Sequence, residues 1–386
     1  MKTVKDFNFI LPTRIVFGAN ASQKIGEEAE MLGFSKILVV TDENFSKLPV
    51  FETVTGYISD SGLSFRVFKD LKGEPDTEIA ETGARFLREA ETDGIIGIGG
   101  GSSIDLAKAL SVMGTNQGAV TDYMGVGRVK TPPLPLIAVP TTAGTGSEVT
   151  GVSVLTESQE KFKGAIVSPM LAPEVSIIDP VFLTTLPPRV IAETGIDALT
   201  HAIEAFYSLG SNPISDVLAK ESIRRIFFNL RALAANPQNL DAAGNMMLGS
   251  LLAGAAFLNA RTGNVHSLSH PLGSYYHIPH GLAIAILLPH VMEYNLPACM
   301  ERFVEMATAM GANIEGLTLR EAAQTAVDEV KCLLTDLRIP ANMSTLGVTD
   351  EHFREMAVDA TKILPYLHNP RRCTVDELID LYRRAL

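Results

Sequence analysis

The feature that most constrains this chain is a change of pattern near its middle. In the first half, short apolar runs alternate with segments of helical periodicity; the runs are KILVV (36–40), FRVFK (65–69), DGIIGIG (93–99), LPLIAVP (134–140) and VSIIDP (175–180). Strands that alternate with helices predict a largely parallel α/β sheet. From about Pro187 onward the segments are long and helical, so the second half is predicted to be mainly α-helical.

Length argues for two domains. At 386 residues the chain exceeds the size at which one hydrophobic core stops growing. We therefore predict an α/β domain over residues 1–185 and a helical domain over residues 186–386, divided near the double proline Pro187-Pro188.

Charge and composition exclude several classes of protein. A net charge of -12 disfavours binding to a phosphate backbone, so no nucleic acid is expected as a partner. The first residues lack the apolar run of a secretory signal, and no stretch reaches the roughly 18 apolar residues of a membrane span. The three cysteines form no CxxC pair, which indicates reduced thiols. We expect a cytoplasmic protein that does not bind membranes.

A glycine cluster follows the third apolar run. Gly99, Gly100, Gly101 and Ser102 stand between this strand and a helix that begins near Ser103. Glycines let the backbone approach a phosphate closely, and the free amides of a helix N-terminus favour an anion. The pyrophosphate of a dinucleotide fits this turn, although tight packing alone would also explain it. The absence of GxxxxGK[ST] from the sequence disfavours a P-loop NTPase.

Two further features suit a nucleotide. The turn PTTAGTGSE (140–148) follows another strand and concentrates hydroxyls and amides, which could bind phosphate or ribose or could form a simple Ser/Thr-rich turn. Asp42, at the end of the first run, could accept a hydrogen bond from a ribose 2′-hydroxyl and would repel a 2′-phosphate. It favours NAD(H) over NADP(H), with a helix N-cap as the alternative role.

A group of imidazoles and carboxylates suggests a metal site. His266 and His270 are four residues apart, Asp197 and His201 repeat that spacing, and His280 begins another apolar helical run. Residues four apart share one helix face, so two helices can each present a pair of ligand groups to one point. Nitrogen and oxygen donors without thiolate suit Fe²⁺ or Zn²⁺. The alternative, hydrogen-bonded core histidines, is disfavoured by the repeated spacing.

Four segments together resemble one known family. GGGSSIDLAKA (99–109), PTTAGTGSE (140–148), GIDALTHAIEA (195–205) and HSLSHPLGSYYHIPHG (266–281) are similar in order and spacing to the iron-containing (group III) alcohol dehydrogenases. The resemblance implies a Rossmann-like dinucleotide-binding α/β domain and a helical metal-binding domain, as in dehydroquinate synthase-like folds. It also implies NAD(H), Fe²⁺ with Zn²⁺ as second choice, a small aldehyde or alcohol as substrate, and a homodimer or higher homo-oligomer.

The same resemblance assigns roles to individual residues. The implied metal ligands are Asp197, His201, His266 and His280, and the implied proton relay is His270. The implied cofactor residues are Asp42, Gly99, Gly100, Gly101, Ser102, Thr141, Thr142, Thr145 and Lys163. The sequence departs from the family pattern at Glu74, where asparagine is common; a carboxylate there should repel a phosphorylated ribose or point to solvent.

A second departure concerns the substrate. Arg261 and Thr262 stand where family members often carry small or apolar residues. A buried guanidinium is costly unless paired, and it suits a carboxylate, sulfonate or phosphonate. We therefore expect a short aldehyde with an anionic end; pairing of Arg261 with a structural Asp or Glu is the alternative. The predicted substrate residues are Gly151, Val152, Phe257, Arg261 and Thr262.

Two other functions remain as alternatives. A lyase or cyclase of the dehydroquinate-synthase type would also place NAD beside a metal, but it needs several basic groups around a phosphorylated substrate. A non-catalytic assembly subunit of the same fold would not need to retain every metal and cofactor position.

Overall fold

The computed structural model describes residues 6–157 and 162–386. The strands are β1 (Arg14–Phe17), β2 (Lys36–Asp42), β3 (Ser64–Leu71), β4 (Gly94–Gly99), β5 (Gly125–Val126), β6 (Leu136–Pro140), β7 (Val152–Glu157), β8 (Phe162–Val167) and β9 (Val175–Ile178). The helices are α1 (Ile25–Met31), α2 (Pro49–Asp60), α3 (Thr77–Glu89), α4 (Gly101–Thr115), α5 (Pro188–Tyr207), α6 (Pro213–Ala235), α7 (Leu240–Ala260), α8 (Asn264–Tyr276), α9 (His280–Asn295), α10 (Met300–Ala309), α11 (Leu319–Asp336), α12 (Phe353–Ala360) and α13 (Val375–Ala385). Short 3-10 helices join several of these elements.

These elements form two compact units. The α/β unit comprises Leu11–Leu186, and the helical unit comprises Pro187–Leu386 together with the described residues 6–10. Residues 6–10 belong to the helical unit because the backbone of Ile10 exchanges hydrogen bonds with the Asn259 amide of α7, at 2.7 and 3.0 Å.

The α/β unit is built on a parallel sheet with the strand order β1-β9-β6-β4-β2-β3. Its central strands β4 and β6 are buried along their whole length, as expected for strands covered on both faces. Successive residues alternate between the faces, so Leu38 and Val40 enter one core whereas Ile37 and Val39 enter the other. A smaller sheet has the order β5-β8-β7.

All five apolar runs predicted as strands are strands, namely β2, β3, β4, β6 and β9. The predicted fold class, a Rossmann-like parallel α/β sheet followed by a helical region, is confirmed. The short β1 and the smaller sheet lie outside the runs that the pattern singled out.

The helical unit centres on α5, α6 and α7, which pack against one another, and α9 packs against α5 and α8. Helix α7 has the length and composition of a membrane-crossing helix, but 61% of its most apolar stretch of 18 residues is buried inside the protein. Packing of α7 against α5 and α6 accounts for this apolar character as that of a core helix.

Candidate active site

Three helices supply the predicted metal ligands. Asp197 and His201 lie one turn apart on α5, His266 and His270 lie one turn apart on α8, and His280 is the first residue of α9. Each pair therefore occupies one face of its helix, as the spacing predicts.

The connection between α8 and α9 brings His280 back to the other histidines. His277 ends α8 in a left-handed conformation (φ 55°), and Pro279 precedes α9. The chain reverses over this short segment, so the ring of His280 lies 5.8 Å from that of His266 and 5.5 Å from that of His270, centroid to centroid.

A glycine sets the distance between α9 and α5. A Cβ atom at Gly281 would lie 2.7 Å from the backbone oxygen of Glu193 on α5. Only glycine allows such a close approach of two backbones without movement. The residue next to His280 therefore lets the start of α9 reach the helix that carries Asp197.

The ligand atoms surround one carboxylate oxygen. Asp197 Oδ1 lies 3.6 Å from His266 Nε2, 3.8 Å from His280 Nε2 and 3.8 Å from His201 Nδ1. These distances are too long for hydrogen bonds. They are close to the roughly 3–3.5 Å that separates ligand atoms sharing a metal ion at about 2.1 Å.

Two of these atoms identify what the cluster would hold. Asp197 Oδ1 and His266 Nε2 are buried and have no hydrogen-bond partner among the described residues. A buried polar atom without a partner costs about 1–3 kcal/mol, and a metal ion would satisfy both. Imidazole nitrogens with one carboxylate are a donor set for Fe²⁺ or Zn²⁺, so the residues present fit such an ion.

Glu204, which the sequence prediction missed, supports the cluster from behind. The carboxylate can only accept, so His266 donates its Nδ1 proton to Glu204 Oε2 at 2.5 Å and presents Nε2 to the other ligand atoms. Glu204 also accepts from the backbone N–H groups of Gly263 (2.8 Å) and Val265 (2.7 Å). A signal was present in the sequence, because Glu204 lies seven residues after Asp197 and hence on the same face of α5.

The charges of the cluster are mutually stabilising. Burial alone would raise the pKa of Asp197, but the imidazoles of His201, His266 and His280 hold that pKa well below its usual value. Burial alone would lower the pKa of His266, but the carboxylates of Glu204 and Asp197 outweigh it and raise that pKa to about 9. Metal binding at Nε2 requires that nitrogen to be deprotonated.

The cluster is closed on one side and more open on the other. The side chains of Asp197, His201 and His266 are 5%, 8% and 6% exposed, whereas that of His280 is 27% exposed. His270 is half-buried beside His280. The ligand atoms are therefore most accessible on the side of His280 and His270.

The predicted substrate residues divide between the two units. In the helical unit, the Phe257 ring stacks on His201 with centroids 4.4 Å apart, Thr262 is buried and Arg261 is half-buried. In the α/β unit, Val152 is half-buried, and a Cβ at Gly151 would lie 2.3 Å from the backbone oxygen of Ser168. This contact gives Gly151 a packing role.

The residues predicted to bind NAD(H) lie mainly at the carboxyl ends of three neighbouring strands. Asp42 ends β2, Gly99 ends β4, and Thr141 follows β6 and donates its N–H to the oxygen of Gly99 at 2.9 Å. The two predicted turns touch, since a Cβ at Gly101 would lie 2.5 Å from Thr145 Cγ2. This edge of a parallel sheet is where α/β proteins bind ligands.

Further residues that were predicted to bind NAD(H) lie at the same edge of the sheet. Gly100 caps the N-terminus of α4, Ser102 lies in its first turn, and Thr142 is next to Gly100. Asp42 is not the N-cap of the following 3-10 turn, which is Asn44, but its Oδ1 accepts from the N–H groups of Asn44 and Phe45 at 3.0 and 2.9 Å. Its Oδ2 accepts one long hydrogen bond of 3.5 Å, from the Ser103 hydroxyl.

Lys163 lies elsewhere, on β8 of the smaller sheet. Its ammonium group pairs with the Glu74 carboxylate at 2.6 Å. The carboxylate that departs from the family pattern is thus partly neutralised by a lysine that the resemblance assigned to the cofactor.

Lys108 is a second residue that the sequence prediction missed. Its ammonium group is fully buried and donates to Ser147 Oγ at 2.7 Å and to the oxygen of Val152 at 2.8 Å. Asp105 accepts from the same serine at 2.5 Å, and burial lowers the pKa of Lys108 to about 8. The contacts tie the 140–148 turn to α4. The signal was a lysine inside the apolar helical run IDLAKALSVM.

Comparison of the chain with known protein families identifies the family to which it belongs. Residues 12–180 match the family described as "Iron-containing alcohol dehydrogenase". Residues 191–386 match the family described as "Fe-containing alcohol dehydrogenase family, C-terminal". The chain belongs to the iron-containing alcohol dehydrogenase family. The resemblance drawn from the four segments is confirmed.

Individual relatives of this dehydrogenase cover nearly its whole length. It is 40% identical over 382 residues to 1,3-propanediol dehydrogenase of Klebsiella pneumoniae, with 98% of each chain covered. Its fold matches the crystal structure of a 1,3-propanediol oxidoreductase with a TM-score of 0.97 at 39% identity, covering 99% of this chain and 100% of the other. It also matches sulfoacetaldehyde reductase from Bifidobacterium kashiwanohense in complex with NAD⁺, with a TM-score of 0.89 at 31% identity and 99% of each chain covered.

The predictions of an oxidoreductase and of iron with NAD(H) as cofactors are confirmed at the level of the family. Membership in an alcohol dehydrogenase family also disfavours both alternatives, the lyase or cyclase and the non-catalytic subunit.

Proposed function

We propose that this dehydrogenase interconverts a short-chain aldehyde and its alcohol, with NAD(H) and a divalent metal held by Asp197, His201, His266 and His280. The observation that carries the proposal is the convergence of these side chains on Asp197 Oδ1, with two buried atoms that lack partners among the described residues. When bound, the ion supplies Lewis acidity at the reacting oxygen, and NAD(H) supplies or accepts the hydride.

The residues of the chain orient these groups and handle the proton. Glu204 fixes the tautomer and the ring orientation of His266. His270 lies beside His280 on the more exposed side, and an imidazole nitrogen can accept or donate a proton, so His270 is proposed to hold the proton that the alcohol gains or loses. Phe257 packs on His201 and excludes water from that ligand.

The cofactor is proposed to lie on the sheet edge of the α/β unit. The touching turns would hold its pyrophosphate on the backbone amides at the start of α4, and Asp42 would accept from a ribose hydroxyl. The remaining proposed contacts are those of Thr141, Thr142, Thr145 and Lys163.

The proposed substrate is small. Similar proteins are named for 1,3-propanediol and sulfoacetaldehyde, which are short molecules with a second polar group. We propose that this dehydrogenase accepts a short aldehyde of the same size, including one with an anionic end.

A substrate panel tests the reaction. Iron-loaded, anaerobically prepared protein should oxidise NADH when propanal is added, and His266→Ala should lose at least about a hundredfold in rate. His352→Ala changes a half-buried histidine of the same unit outside the cluster and should retain the rate. Absence of NADH oxidation with every short aldehyde tried would contradict the proposal.

Two further proposals concern the oligomeric state and the cellular location of the protein. We propose a homodimer or higher homo-oligomer, which light scattering coupled to gel filtration would measure. A cytoplasmic location is proposed because Cys299, Cys332 and Cys373 are all free thiols.

A further inference from the structure

Arg261 has a backbone conformation that side chains rarely adopt. It follows α7 with φ 71° and ψ 167°, in a region populated almost entirely by glycine. Its N–H donates to the oxygen of Phe257 at 2.8 Å. Because glycine would occupy this position without strain, the presence of arginine indicates a use for its side chain.

The guanidinium group lacks a protein counter-charge. Arg261 is half-buried, and within residues 6–157 and 162–386 it forms no side-chain hydrogen bond or ion pair. Burial lowers the pKa of Arg261 and nothing raises it. Arg302, another half-buried arginine of the helical unit, instead pairs with Asp216 at 2.5 Å and lies over the Phe206 ring. A partly desolvated cation without an anion is unfavourable, so Arg261 is suited to an anion from outside the chain.

The chain on both sides of Arg261 contacts the proposed metal site. Phe257, one turn earlier, stacks on His201. Gly263, two residues later, donates its N–H to the Glu204 carboxylate that orients His266. Arg261 is therefore anchored between two contacts to the proposed site of catalysis.

We infer that Arg261 is the group that binds the anionic end of the substrate, a carboxylate or sulfonate carried by a short aldehyde. The inference rests on the proposed function, because the aldehyde end of the same molecule reacts at the metal site. The planar guanidinium can donate two parallel hydrogen bonds to either oxyanion. The backbone strain at Arg261 is the cost of placing a guanidinium group where glycine would be more stable.

Matched pairs of aldehydes test the inference. Rates are measured with sulfoacetaldehyde and with 4-oxobutanoate, and the neutral references are propanal and butanal. In Arg261→Gln, kcat/KM should fall about 10- to 100-fold for the anionic aldehydes, mainly through KM, and change by less than about threefold for the neutral ones. Arg261→Lys should recover part of the loss. The sulfonate and carboxylate arms show which oxyanion is preferred.

Two further readouts separate binding from a structural role. Ethanesulfonate should inhibit propanal reduction competitively in the wild type and much less in Arg261→Gln. Arg261→Gly should raise the melting temperature by a few degrees because it removes the strain, while losing the same preference for anions.

Equal losses on neutral and anionic aldehydes, or an Arg261→Gly variant that melts below the wild type, would overturn the inference. Failure of the wild type to reduce propanal would instead contradict the proposed function itself. Turnover of propanal with unchanged substrate ratios in every variant would leave that function standing and refute the role of Arg261.

Discussion

Glu204 accepts three short hydrogen bonds, from His266 and from the amides of Gly263 and Val265, and a longer one of 3.5 Å from the Tyr207 hydroxyl. A carboxylate can satisfy all three donors, whereas a glutamine would direct an NH₂ group at one of them. The orientation of His266 therefore depends on the charge of Glu204 as well as on its position.

Glu204→Gln should weaken metal binding by about 10- to 100-fold, because such outer carboxylates fix the ligand ring and raise its basicity. The dissociation constant is measured by competition with a chelator, which does not depend on turnover. Glu301→Gln, an exposed change in the same unit, is the matched control and should bind metal like the wild type. Equal affinities in both variants would show that Glu204 does not position His266.

Asp42 is expected to select against a phosphorylated ribose. Asp42→Asn keeps an oxygen for the N–H groups of Asn44 and Phe45 but removes the charge. The ratio of kcat/KM for NADPH over NADH should rise about tenfold or more. Asp60→Asn, an exposed change at the end of α2, should leave the ratio as it is. An unchanged ratio in Asp42→Asn would remove Asp42 from the proposed cofactor site.

Single residues also mark the limit of prediction from sequence. The i,i+4 spacings indicated that Asp197 and His201 share a face, because both members of the pair belong to one helix. The partners of Lys108 and the lack of a counter-charge for Arg261 among the described residues could not be predicted, because both depend on which distant side chains the folded chain brings near them. The spacing places Glu204 on the same face of α5 as Asp197, but its hydrogen bond to His266, 62 residues away in sequence, could not be predicted.

Among the elements, the approach of α9 to α5 is set by Gly281. Gly281→Ala would place a Cβ atom against the Glu193 backbone and push the start of α9 away, together with His280. We expect a loss of about 1–3 kcal/mol in the free energy of unfolding and a weaker metal affinity.

Gly56→Ala is the matched control for this change. Gly56 lies inside α2 with open space around its added Cβ, so alanine should stabilise the protein by about 0.5–1 kcal/mol. Thermal melts and chelator competition on both variants provide the comparison. Wild-type metal affinity in Gly281→Ala would contradict the proposed role of this close contact.

Strands were predictable where burial makes them continuously apolar, as in β4 and β6. β1 has exposed ends and β5 has only two residues, so neither carries a periodic signal long enough to recognise. Their existence depends on hydrogen bonds to β9 and β8, which lie far away in sequence.

At the scale of the whole molecule, metal binding should contribute to stability. The cluster draws on α5, α8 and α9, so it exists only in the folded chain. An ion at 100 times its dissociation constant should stabilise the fold by about 2.7 kcal/mol. Chelation should therefore lower the melting temperature of the wild type but not that of His266→Ala. Identical melting curves with and without metal would argue against the site.

The most direct test is a titration of chelator-treated protein with Fe²⁺ under anaerobic conditions, following NADH oxidation with propanal. Activity should be almost absent at the start and should rise linearly until it saturates near one ion per chain. Parallel titration with Zn²⁺ shows which metal supports the higher rate. Full activity in metal-free protein, or no activity after one ion has bound at Asp197, His201, His266 and His280, would show that this site does not carry a catalytic metal.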